Sequence, residues 1–127
     1  MRVIDKFHHA DEKTVDDSVK TLHLYRIGYS NNDYEDYNSA LGLELVIYRY
    51  LVIKESDSSY FIRDHSIKRT RRVVNKLSYK KFAYPAVKAA LYDFSIRANR
   101  RTGYLTRQLK VAERTLKLVK QEIKTNK

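Results

Sequence analysis

The chain has 127 residues, 43 % hydrophobic, with 26 Lys and Arg against 15 Asp and Glu, for a formal net charge of +11. No stretch approaches the ~20 apolar residues of a membrane-spanning helix, and the polar start (Asp5, His8, His9) does not fit a secretory leader. Cysteine is absent, which excludes disulfides, thiolate metal sites and cysteine nucleophiles and fits a reducing, cytoplasmic setting.

Residues 1–18 are polar and acidic and read as a short helix or an arm. From Lys20 to Tyr29, Leu22, Leu24 and Arg26 alternate with His23, Tyr25 and Ile27, the period-two pattern of a strand. Residues 30–38 (SNNDYEDYN) read as an acidic loop. Leu43 to Lys54 is the clearest strand. Leu43, Leu45, Ile47, Leu51 and Ile53 share one face and Val46, Tyr48, Tyr50 and Val52 the other, as expected of a central strand covered on both sides. ESDSS at 55–59 is a turn, Tyr60 to His65 a returning strand, and Arg71 to Leu77 another around Val73 and Val74. Together these predict an antiparallel meander of about four strands.

Helix is expected from Pro85, since proline suits a first helical position. Val87, Leu91, Phe94 and Ala98, then Leu105, Leu109, Ala112, Leu116, Val119 and Ile123, recur at steps of three and four. Gly103 would favour two helices, but Leu91, Ala98, Leu105, Ala112 and Val119 keep steps of seven through it. The register therefore favours one helix over 86–124, straight or kinked at Gly103, over a helix pair broken there; a single helix would be on the order of 58 Å long at 1.5 Å per residue. The fold class is α+β in a single domain, the sheet over about 20–77 and the helical part over about 85–124. So long a helix must pack its C-terminal half on another helix, its own or a partner's, and a homo-oligomer through the seam from Leu105 to Ile123 is one such arrangement.

Charge is distributed unevenly. Residues 1–65 carry a net −4 and residues 66–127 a net +15, an asymmetry that points to a polyanion or an acidic protein surface as partner. Lys68, Arg69, Arg71 and Arg72 form one basic cluster and Arg97, Arg100 and Arg101 a second. On a helical wheel Arg107, Lys110, Arg114, Lys117 and Lys124 fall in a stripe opposite the apolar seam. These basic residues are the candidate partner-binding or nucleic-acid-binding set, because arginine forks suit phosphate and interleaved tyrosines suit base stacking. A solvated helix face is the plainer account of the stripe, but such faces usually mix signs. His8, His9, Asp11 and Glu12 are weak evidence for a metal. Three glycines cannot build a phosphate loop, and no serine sits in a nucleophile motif. No cofactor, metal or catalytic set is therefore expected.

Tyr84, Pro85, Ala90, Leu91, Phe94, Arg97, Leu105, Leu109, Ala112 and Leu116 follow an aromatic-Tyr-Pro turn and a long helix of the form A-L-x-x-F…R…L…L…A…L. In this the chain resembles small accessory proteins of tailed bacteriophages over about a third of its length. The resemblance implies a non-enzymatic protein that binds and inhibits a host macromolecule, with a nucleic-acid-handling defence complex as the target class. A module that contacts DNA or RNA directly through the basic half is the alternative.

Overall fold

A computed structural model describes residues 1–19, 21–31, 43–65 and 71–126. It is α+β: a five-stranded sheet followed by one long helix. The strands are β1 (Arg2–Asp5), β2 (His23–Asn31), β3 (Leu43–Glu55), β4 (Ser59–Arg63) and β5 (Arg71–Asn75), and the helix is α1 (Val87–Thr125). Short 3-10 turns at His9–Thr14 and Asp17–Val19 link β1 to β2.

β3 is the hub. It pairs with β2 antiparallel from Leu43 to Leu51, with β1 parallel from Val46 to Arg49, and with β4 antiparallel from Val52 to Glu55. β5 extends the sheet from β4. The sheet is thus mixed, not the purely antiparallel meander the sequence predicts, and the difference is β1. Its four residues are too few to display a period, and a parallel pairing 44 residues away leaves no local mark. The segment read as a helix or arm opens instead as a strand.

Because directly opposed residues project to the same side, the β2–β3 register sorts the core into two faces. Leu24, Tyr50 and Val52 meet Ile62, Val74, Val19 and Ala83 on one. Ile27 and Ile47 meet Ala90 on the other, where Val87, Leu91 and Phe94 of the first turns of α1 pack against them. β3 is therefore buried on both faces at Val46, Ile47 and from Tyr50 to Val52, with Tyr48 and Arg49 half-buried between them, while Leu43 and Leu45 stay exposed.

The chain divides into two compact units, Met1–Phe94 and Ser95–Lys127. Helix α1 runs unbroken through Gly103, as the seven-residue steps predict. Nothing lies within 4 Å of where a Cβ on Gly103 would stand, so this glycine answers no packing need. No helix of the described residues is long and apolar enough to cross a membrane.

Candidate anion-binding surfaces

In the first unit the β3–β4–β5 register decides which cations share a surface. Lys54 lies opposite Phe61, Phe61 opposite Val73, and Arg63 opposite Arg71. All five side chains therefore project from one face of the sheet. The Arg71 guanidinium carbon sits 4.7 Å from the centre of the Phe61 ring and the Lys54 ammonium 5.7 Å from it. Both lie within the range of cation–π attraction. Neither Arg71 nor Lys54 has an ion-pair partner among the described residues. Beside them opens a cleft of about 320 Å³ lined by Thr14, Asp16, Ile53, Lys54, Arg63 and Arg71.

Arg63 anchors this cleft from below. Its Nη1 donates to Asp11 Oδ1 at 2.7 Å, while Asp11 Oδ2 meets His65 Nε2 at 2.8 Å and accepts from the His8 backbone N–H at 3.2 Å. Asp11 is only 4 % exposed. Burial pushes its carboxyl up, but the hydrogen bonds from His65, the His8 amide and Arg63 outweigh that and hold it below the usual carboxylate value. His8 and His65 rings meet edge to face, 4.6 Å apart. Among the described residues no group of histidines and carboxylates could hold a metal ion.

Arg72 belongs to the opposite face. Neighbouring residues of a strand point to opposite sides, so Arg71 and Arg72 do not form one cluster. The Arg72 guanidinium lies 3.8 Å from the centre of the Phe82 ring, and Arg26 approaches the same ring at 4.6 Å while its Nη1 donates to the Phe82 carbonyl. Arg72 Nε is buried without a hydrogen-bond partner among the described residues. Its role is in packing. Lys68 and Arg69 lie outside the described residues.

In the second unit every residue from Ala98 to Asn126 is exposed, including Arg100, Arg101, Arg107, Lys110, Arg114 and Lys117, while Arg97 is half-buried. Arg107, Lys110, Arg114 and Lys117 follow at steps of three and four on one continuous helix, and so share a face. No ion pair between described residues falls on that stripe.

The sequence reading missed Lys54, Phe61 and Arg63. Their signal was present, since Phe61 and Arg63 alternate in FIR at 61–63, but only the register of β4 with β3 and β5 brings Lys54 and Arg71 beside them. Compared with known proteins, the chain matches no family model, no curated protein and no solved structure.

Proposed function

We propose that the chain is a nucleic-acid-binding protein that grips phosphates through α1. The observation that carries this reading is the stripe Arg107, Lys110, Arg114 and Lys117, four exposed cations with no ion-pair partner among the described residues. Cations held in one row and not spent on carboxylates release counterions from a phosphate backbone on contact. In the first unit Lys54 and Arg71, held over the Phe61 ring and without an ion-pair partner among the described residues, offer two more cations to phosphate.

The test is fluorescence anisotropy with labelled mixed-sequence duplex and single-stranded DNA across a salt series. Binding should weaken steeply with salt, and Lys110→Ala with Arg114→Ala should flatten the log–log slope by about 2, at ~0.9 per duplex phosphate contact. Salt-independent binding, or none, rejects the reading.

A second reading is favoured by the exposed aromatic and aliphatic side chains Leu77, Tyr79 and Tyr92. Exposed rings of this kind are common in protein contacts. They support the role implied by the phage resemblance, an accessory protein that inhibits a host nucleic-acid-handling complex through an acidic protein surface. Capture of one host protein from a nuclease-treated lysate, with no binding to free nucleic acid, would favour it.

A further inference from the structure

Helix α1 carries a second exposed feature besides its cations. Thr102, Leu105, Leu109, Ala112, Leu116, Val119 and Ile123 recur at alternating steps of three and four, a seam sustained over three heptads. Leu105, Leu109, Leu116, Val119 and Ile123 are 49–60 % exposed. An apolar groove along Leu118, Val119, Glu122, Ile123 and Asn126 follows the last turns of the seam. Leu105, Leu109, Leu116, Val119 and Ile123 together offer roughly 500 Å², so two such helices bury on the order of 1,000 Å², the least that a specific interface needs.

The charges next to the seam indicate what covers it. Seven positions flank it between Arg101 and Glu122, and their charged residues, Arg101, Lys120, Glu113 and Glu122, cancel. The outward positions hold Arg107, Lys110, Arg114, Lys117 and Lys124 and no carboxylate. An acidic partner on the seam would find no surplus of cations beside it. A second identical helix meets neutral flanks and keeps its own cations turned away.

We propose that residues 102–126 form a parallel, in-register coiled coil with a second copy of this chain. In that register Arg101, Gln108 and Thr115, on one side of the seam, each face the residue five places on in the other helix. Arg101 then meets the partner's Thr106, Gln108 the partner's Glu113, and Thr115 the partner's Lys120, with no like charges opposed. A fully overlapped antiparallel pair would set Glu113 against the partner's Glu113. The dimer leaves the stripe from Arg107 to Lys117 outward on both helices, and it stands whether or not the stripe binds nucleic acid.

The absence of cysteine allows a direct test. Leu116→Cys places a thiol on the seam, and mild oxidation should convert it to a disulfide-linked dimer. Val111→Cys, on the outward side, should stay unlinked. Sedimentation of the unmodified chain at about 100 µM should give twice the 15.1 kDa chain mass. Leu109→Asp with Leu116→Asp should give the monomer with the first unit still folded by near-ultraviolet circular dichroism. A monomer at that concentration, a trimer or larger species, a dimer that survives the double Asp variant, or linking at residue 111 rather than 116 each overturns the proposal.

Discussion

Asp11, which the sequence offers only as weak evidence for a metal, holds a surface together. Its two oxygens join Arg63 of β4, His65 beyond it and the His8 backbone, so one carboxylate ties the N-terminal segment to the sheet. The pH dependence follows from signs alone. Asp11 and Asp5 are both held below the ordinary value of 3.8, Asp5 chiefly by its hydrogen bond from Arg49. Groups depressed on folding contribute stability above 3.8 that is lost as pH falls through their folded values. His23 is also lowered, by burial and by the nearby Arg49 cation, so its neutral form is favoured in the fold and stability falls below its ordinary 6.5. Urea unfolding followed from pH 7 to pH 3 should therefore show stability declining below about 6.5 and more steeply below about 4. Asp11→Asn should flatten the second decline. Gly28 makes a different residue-scale prediction. A Cβ there would stand 2.5 Å from the Tyr48 ring, across the β2–β3 pair. Gly28→Ala should cost about 1–3 kcal/mol by overpacking, and part of that cost should vanish in the Tyr48→Ala background, where the ring is gone.

The elements were legible in the sequence in proportion to their length and periodicity. β2 to β5 and α1 announce themselves by steps of two or of three and four, which is why their bounds fall within a few residues of expectation. The passage through Gly103 was readable because the phase of the seam continues beyond it. β1 was not readable, and neither was the joining of Lys54, Phe61, Arg63 and Arg71, because both depend on strand register, which no single strand encodes. The sequence predicts that Leu109 and Leu116 pack inward or against a second helix, and inward packing would make their truncation cost core energies. Both are exposed in the single chain, so Leu109→Ala should leave the stability of the first unit unchanged. β3 offers a sharper contrast. Ile47 and Leu45 share a face two residues apart, but Ile47 is enclosed by Ile27 and Ala90 while Leu45 is 43 % exposed. Ile47→Asp should unfold the protein, because it buries a charge without a partner. Leu45→Asp should cost no more than about 1 kcal/mol, as for ordinary surface changes. Thermal melts of the two variants side by side check the assignment of the helix-covered face.

Over the whole chain, the cations divide into those that stand free in solvent and those that hold the fold. A net +15 in residues 66–127 creates mutual repulsion that the folded chain tolerates because exposed cations are well solvated. Removing such cations should therefore be neutral or mildly stabilising. Replacing Arg107, Lys110, Arg114 and Lys117 by Glu lowers the net charge from +11 to +3. The melting temperature should stay within a few degrees, since exposed charges contribute ~0–1 kcal/mol each way. Arg72 is equally cationic but answers to different physics. Its guanidinium lies 3.8 Å from the Phe82 ring with a buried Nε, so Arg72→Glu forces a carboxylate against that ring beside the core residues Val74 and Ala83. That single reversal should lower stability by several kcal/mol, as for a charge left unpaired on burial. The comparison is made on two axes, melting temperature and anisotropy with labelled DNA at fixed salt. The fourfold variant should keep its melting temperature and lose binding. Arg72→Glu, measured well below its own melting point, should lose stability and keep the affinity of its folded fraction. Equal losses of binding in both variants would mean that total charge, not the placement of the helix stripe, governs the contact.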